Sequence, residues 1–138
     1  MKTLKYGNNI ISLMEELKDV GEIDSAVLRN PNSVLVVIQD NCPWCKKTLE
    51  ELKKLEKDGI SVYTINIEKA MGLAKKLGIK GTPFTIAFKE CEIGKAFEGY
   101  DPNAINELQV LYKDAEPVCK VNLSESLFET ILGEPIIL

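Results

Sequence analysis

Two cysteines separated by two residues, Cys42 and Cys45, are the residues of this sequence best suited to chemistry. Pro43 and Trp44 lie between them. Cysteines at this spacing can interconvert between a dithiol and a disulfide, and the reactive form is the thiolate. Unpaired N–H groups and the dipole at a helix N-terminus favour such an anion. The pair therefore predicts thiol–disulfide exchange, in which Cys42 attacks a substrate disulfide and Cys45 resolves the mixed disulfide.

The segments on either side of the cysteine pair predict a strand followed by a helix. Residues 34–38 form an apolar run typical of a buried strand, and a helix is expected from the pair to about residue 57. On that helix Cys45 shares a face with Leu49 and Leu52. We therefore expect Cys45 to point inward, Cys42 to be exposed and Trp44 to lie on the surface.

The N-terminal region predicts two helices. The first has apolar residues at helical spacing and a stop at Gly21; these residues are Ile10, Leu13, Met14 and Leu17. The second covers residues 22–29, before Asn30 and Pro31.

The region after the cysteine pair predicts alternating elements. They are a strand at 61–67, a helix at 68–77, strands at 84–88 and 93–97 that form a hairpin, and a helix from Asp101 and Pro102 to about residue 113. This order indicates an α/β protein, with a mixed sheet of four or five strands flanked by helices.

The last segment, residues 117–138, predicts a short helix. Ser124 is its expected cap, and its apolar residues are Leu127, Phe128, Ile131 and Leu132. We expect this tail to pack on its own domain. The sequence thus predicts one domain over residues 1–138, with a core at about 34–114, a helical N-terminal extension at 1–33 and a helical C-terminal tail.

Composition narrows the class of function. The 138 residues are 45% hydrophobic and 28% charged, with a net charge of −4 that gives no reason to expect binding to nucleic acid or an anionic membrane. No apolar run approaches the roughly 20 residues of a membrane span, and no leader pattern is visible, so we expect a cytoplasmic protein. The chain has no histidine. We expect no cofactor and no metal, because zinc binding needs two further ligands beside the cysteine pair.

Cys91 and Cys119 leave two alternatives open. A helix of about 12 residues rises about 18 Å, enough to return the chain from the corner at Gly99 towards the hairpin end. The two thiols could therefore be neighbours and form a second disulfide. Two free cysteines are the simpler expectation.

Three separated motifs occur in order along the chain. They are Cys42-Pro43-Trp44-Cys45, Gly78-Ile79-Lys80-Gly81-Thr82-Pro83 before a strand, and Phe97-Glu98-Gly99-Tyr100-Asp101-Pro102 before the last core helix. On these motifs, residues 34–114 resemble the thioredoxin superfamily. The resemblance implies a thioredoxin fold and a cis Thr82–Pro83 bond lying against the disulfide. It also implies that Thr82 and Pro83, with Trp44, bind an extended substrate segment.

The resemblance further implies an enzyme, a thiol–disulfide oxidoreductase that acts on protein disulfides. Pro43 and Lys46 would tune its redox behaviour, a disulfide reductase or glutathione would supply electrons, and the protein would be a monomer. The chain departs from the family in two places: Val36 stands where many thioredoxins have a buried Asp, and Asn41 where they have Trp. It also lacks the glutathione segment of glutaredoxins. A noncatalytic thioredoxin-like adaptor and a glutathione-dependent glutaredoxin remain as alternatives.

Overall fold

The computed structural model describes residues 4–6 and 9–12 as backbone and residues 14–120 in full. The strands, in chain order, are β1 (Leu4–Tyr6), β2 (Asn9–Ser12), β3 (Glu15–Leu17), β4 (Ser33–Ile38), β5 (Ser61–Asn66), β6 (Phe84–Lys89) and β7 (Glu92–Glu98). The helices are α1 (Gly21–Arg29), α2 (Pro43–Lys57), α3 (Met71–Leu77) and α4 (Pro102–Leu111), with a 3-10 turn at Ile67–Lys69.

Five strands form the central mixed sheet, in the order β3-β5-β4-β6-β7. β5 pairs in parallel with both β3 and β4, whereas β6 is antiparallel to β4 and to β7. The predicted mixed sheet flanked by helices is thereby confirmed. β1 and β2 pair with each other in a separate antiparallel ribbon.

The helix predicted through Ile10, Leu13, Met14 and Leu17 is wrong. β2 and β3 occupy this region, with Leu13 outside the described residues. Leu17 of β3 pairs with Ile65 of β5 and is buried in the core. Tertiary pairing therefore overrides a helical spacing carried by only a few residues. The predicted helix at 68–77 divides into the 3-10 turn and α3, and the tail helix at Ser124 lies outside the described residues.

The core has two layers, because successive residues of β4 point to opposite faces of the sheet. Leu35 and Val37 face the layer that contains α1 and α3, and Val34 and Val36 face the layer that contains α2 and α4. Tyr112, just after α4, donates a hydrogen bond of 2.9 Å to the Ser33 carbonyl and fastens α4 to the start of β4.

Strand register defines two ends of the sheet. Val37 of β4 pairs with Phe84, and Phe84 pairs with Glu98, so the end of β4 lies beside Pro83 and the end of β7. Ser33 pairs with Phe88 at the other end, where the β6–β7 turn lies. None of the helices in the described part of the chain combines the length and the apolar composition that crossing a bilayer requires.

Candidate active site

Cys42 is the N-cap of α2. Asp40 and Asn41 turn the chain after β4, with Asn41 in the left-handed region at φ 57°, a conformation that Asn tolerates. Cys42 is extended, and its Sγ accepts a hydrogen bond of 3.1 Å from the Cys45 backbone N–H. Pro43 occupies the first helical turn, where its missing N–H leaves no intrahelical bond unmade. This geometry stabilises negative charge on the sulfur of Cys42.

Cys42 and Cys45 form a disulfide, with their Cα atoms 5.2 Å apart. Cys45 is 3% exposed, whereas Cys42 is only partly buried, so the expected inward and outward orientations are both present. A substrate thiol or disulfide that approaches from solvent therefore meets Cys42 first, because Cys45 lies behind it.

Thr82 lies directly against the sulfur of Cys42. The Thr82–Pro83 peptide bond is cis, as the resemblance implied. The Thr82 hydroxyl donates to Cys42 Sγ at 3.7 Å, and the Thr82 carbonyl oxygen lies 3.8 Å from the same sulfur. The residue before the cis proline thus supplies a second donor to an anionic Cys42.

An exposed aromatic pair lies beside the disulfide. Trp44 is 55% exposed and stacks on Tyr100, with ring centroids 5.7 Å apart and planes inclined by 18°. Lys47 Nζ lies 5.6 Å from each centroid, within reach of a cation–π interaction. Gly99, at φ 78°, makes the turn that presents Tyr100, and its N–H donates to the Pro83 carbonyl at 2.7 Å.

A groove of about 680 Å³ runs beside the disulfide on the side of the β4–α2 turn. Its walls are mostly apolar and include Cys42 and Cys45 themselves; the other lining residues are Ile38, Gln39, Asp40, Asn41, Pro43, Lys46 and Leu49. The groove gives water a path towards the otherwise buried sulfur of Cys45.

The carboxylate that many thioredoxins bury beneath the second cysteine has no counterpart at Val36, which is fully buried among apolar side chains. Asp40 is exposed and accepts a hydrogen bond of 3.4 Å from Asn66. Within the described ranges, histidine, cysteine and acidic residues form no group of three that could hold a metal ion.

Cys91 and Cys119 are paired, with Cα atoms 5.0 Å apart. The simpler expectation of two free cysteines is therefore wrong. The β6–β7 turn presents Cys91 in the left-handed region, and α4 returns the chain to that end of the sheet. This second disulfide lies at the end opposite Cys42.

Comparisons with known proteins identify the family and the fold. The family model described as "Thioredoxin-like domain" matches residues 21–113, about two thirds of the chain, so the chain belongs to that family and to the thioredoxin superfamily. A curated relative, the chloroplastic M-type thioredoxin of Spinacia oleracea, is 23% identical over 112 residues. That alignment covers 75% of this chain and 62% of the spinach protein.

Solved structures show the same fold. Reduced thioredoxin from Schistosoma mansoni superposes with a TM-score of 0.61 at 23% identity, covering 76% of this chain and 100% of that one. A mutant thioredoxin from Halobacterium salinarum gives a TM-score of 0.63 at 20% identity, covering 76% and 93% of the two chains.

Tyr100 was not identified as part of the site from the sequence, and the contact of Lys47 with the aromatic pair was not predicted. Tyr100 was visible only as part of the corner motif, and Lys47 was one of several lysines on an exposed helix face. Their proximity to Trp44 depends on how the β7–α4 corner meets α2. The structure places Thr82 and the cis Pro83 against Cys42 and leaves Trp44 exposed on Tyr100, while their roles in substrate binding stay predictions.

Proposed function

We propose that this protein is a thiol–disulfide oxidoreductase that exchanges electrons with protein disulfides through Cys42 and Cys45. One observation carries the proposal: Cys42 Sγ is the exposed sulfur of a helix-capping disulfide and receives hydrogen bonds from the Cys45 N–H and the Thr82 hydroxyl. Two donors and the helix N-terminus lower the free energy of a thiolate at this atom relative to an ordinary thiol.

The reductive half-reaction starts from the dithiol. The Cys42 thiolate attacks one sulfur of the substrate disulfide, the substrate S–S bond breaks, and the other substrate sulfur leaves as a thiolate that takes up a proton. The Cys45 thiol loses its proton to water in the groove and attacks Cys42 Sγ. This step releases the second substrate thiol and forms the Cys42–Cys45 disulfide, so two electrons pass to the substrate.

The surrounding residues have proposed roles in this reaction. The polar backbone of Thr82 and the adjacent Pro83 support an extended substrate segment next to Cys42. Trp44 provides apolar contact area on the same side. Pro43 restricts the turn between the cysteines, and Lys46 adds positive charge near the thiolate, so both tune the redox equilibrium.

The biological setting is part of the same proposal. We propose a cytoplasmic monomer formed by one domain over residues 1–138, with a disulfide reductase or glutathione as its electron donor. Two observations support including the flanking segments in that domain. β3 joins the central sheet, and Cys119 is linked to the β6–β7 turn by a disulfide.

The test is reduction of insulin in the presence of dithiothreitol. We expect the wild-type protein to accelerate precipitation and Cys42→Ser to abolish the acceleration. Cys119→Ser makes the same chemical change far from the site and should keep most of the activity. Equal curves for wild type and Cys42→Ser would contradict the proposal and favour a noncatalytic adaptor.

Two further measurements test the resolving role of Cys45 and the glutaredoxin-type alternative. Cys45→Ser should accumulate a mixed disulfide between Cys42 and the substrate, detectable by mass spectrometry, because the resolving thiol is missing. A hydroxyethyl disulfide assay with glutathione and glutathione reductase decides between the two proposed electron donors, and we expect little turnover, which would assign a disulfide reductase. Efficient turnover there would instead indicate a glutaredoxin-type enzyme.

A further inference from the structure

The Cys91–Cys119 disulfide is chemically separate from the active-site pair. Ser33 and Val37, near opposite ends of β4, pair with Phe88 and Phe84 respectively, so the two disulfides lie at opposite ends of the sheet. Six strand residues at about 3.3 Å each span about 20 Å. Cys42 therefore cannot reach Cys91 or Cys119 of its own chain, so any electron exchange by this second pair needs an external thiol.

The second disulfide joins the β6–β7 turn to the C-terminal segment, defined here as residues 113–120. Hydrogen bonds also connect the two: the Glu116 N–H donates to the Glu90 carboxylate at 3.0 Å, and the Lys120 N–H donates to the Glu90 carbonyl at 3.3 Å. Asn32 donates to the Glu116 carbonyl at 2.8 Å and accepts from the Glu90 N–H at 2.8 Å.

Two ion pairs of the C-terminal segment involve exposed carboxylates, whereas a third joins Lys120 to Glu90, whose side chain is only 15% exposed. Lys89 pairs with Asp114, whose side chain is 80% exposed, and Lys120 pairs with Glu116, which is 62% exposed. Exposed pairs of this kind contribute little to stability. The Cys91–Cys119 bond therefore adds a covalent restraint on residues 113–120 to these hydrogen bonds.

The burial of the two sulfurs differs, and this difference sets the direction of attack. Cys91 is completely buried, whereas Cys119 is half-buried at the edge of the core. An incoming thiolate thus reaches Cys119. Cys91 Sγ lies 3.7 Å from the Val27 carbonyl oxygen, which can accept a hydrogen bond from the thiol once the bond is broken. This carbonyl can therefore hold the Cys91 thiol in the reduced form.

We propose that Cys91 and Cys119 form a second redox site, whose oxidation state decides whether residues 113–120 stay attached to the β6–β7 turn. The external partner is a low-molecular-weight thiol of the glutathione class. This inference goes beyond the proposed function of Cys42 and Cys45 and does not depend on it.

The reduction proceeds in two balanced steps. A glutathione thiolate attacks Cys119 Sγ, the Cys91–Cys119 bond breaks, and Cys91 leaves as a thiolate that takes a proton from water. A second glutathione thiolate attacks the glutathione sulfur of the mixed disulfide. Cys119 is released and protonated, oxidised glutathione forms, and the protein has gained two electrons.

The test uses the full chain carrying Cys42→Ser and Cys45→Ser, so that any remaining disulfide is Cys91–Cys119. The protein is equilibrated in glutathione buffers of graded redox poise, quenched in acid and labelled with a maleimide mass tag. We expect one two-electron transition between untagged and doubly tagged protein. Amide hydrogen exchange in residues 113–120 should accelerate at least tenfold across that transition, while residues 33–38 stay unchanged.

A matched control adds Cys119→Ser to the same background and should exchange rapidly at every poise. Because this change could also lower stability, the two-cysteine variant measured in both oxidation states decides the question by itself. Thiols that are tagged at every poise, or a bond that persists at every poise, would overturn the proposal. So would equal exchange of residues 113–120 in the oxidised and reduced forms.

Discussion

The Thr82 hydroxyl donates to Cys42 Sγ at 3.7 Å, so the residue before the cis proline touches the sulfur proposed to attack substrates. The contact joins two elements that are 40 residues apart in sequence: the N-cap of α2 and the entry to β6. Thr82 therefore contacts Cys42 Sγ, the atom proposed to react, and also lies next to the proposed position of the substrate backbone.

Removing the Thr82 hydroxyl should make the Cys42 thiolate less stable relative to the thiol. Thr82→Val keeps the shape of the side chain but loses the donor, and we expect the pKa of Cys42 to rise. Hydrogen bonds to charged groups contribute about 1.5–3 kcal/mol, and this long one should lie at or below the lower limit, so alkylation at neutral pH should slow about three- to tenfold. The measurement is the pH dependence of iodoacetamide labelling in the reduced protein. Thr82→Ser retains the hydroxyl and should behave like wild type; an unchanged profile in Thr82→Val would contradict the assigned contact.

The exposed ring of Trp44 should matter for large substrates and little for folding. Trp44→Ala removes its stacking on Tyr100, and because the ring is half exposed we expect the free energy of unfolding to fall by no more than about 1 kcal/mol. The KM for a protein disulfide should rise several-fold, while the rate with a small disulfide stays the same. Val110→Ala, at an exposed apolar residue of α4, is the control and should change neither. Equal effects of Trp44→Ala on both substrates would argue against a binding role.

The positive charge of Lys46 should stabilise the Cys42 thiolate by electrostatic attraction. Lys46 lines the groove next to Cys42, and Lys46→Glu replaces an attractive charge by a repulsive one. We expect the pKa of Cys42 to rise in dilute buffer, and the shift to shrink in 1 M salt, where the Debye length is about 3 Å. Lys53→Glu makes the same change two turns further along α2 and should have a smaller effect. A salt-independent shift would point to a structural cause instead.

Tyr112 should make the fold sensitive to alkali. Burial raises the pKa of Tyr112 above its ordinary value of 10, so the folded state retains a proton that the unfolded state loses. The stability linked to this group is therefore complete below pH 10 and is lost as pH rises above it; one such group accounts for about 1.4 kcal/mol at pH 11. Urea unfolding at pH 8 and pH 11 measures the loss.

Tyr112→Phe is the comparison for that experiment. At pH 8 it should lower the free energy of unfolding by about 1 kcal/mol, because the hydrogen bond to the Ser33 carbonyl is lost. Between pH 8 and pH 11 it should lose less stability than wild type does. The same loss in both proteins would show that Tyr112 is not the responsible group.

Local patterns were sufficient to predict much of the fold. The apolar run of β4 and the facing residues of α2 gave the orientation of Cys45, because strand and helix periodicities fix which side chains turn inward. The same reasoning failed for residues 10–17: Leu17 is buried by pairing with β5, a partner that is almost 50 residues away. Short apolar segments take the structure that their tertiary partner imposes.

The parts of the site that were missed depend on long-range contacts. Tyr100 meets Trp44 only because β7 ends beside Pro83 and Gly99 turns the chain towards α2. The Cys91–Cys119 bond likewise requires α4 to end beside the β6–β7 turn. The contact of Tyr100 with Trp44 does not follow from spacing along the chain, and the length of the last helix left the Cys91–Cys119 pairing open, since both depend on how separate elements pack.

The pairing of Leu17 with Ile65 has a consequence for where the folding unit begins. The family match starts at residue 21, yet β3, which precedes it, covers the outer edge of β5. A chain shortened to start at residue 21 would keep the whole match and expose that strand edge, together with core surface that Leu17 now covers. Open strand edges promote association between copies. We therefore expect the shortened protein to aggregate at concentrations where the full chain stays dispersed.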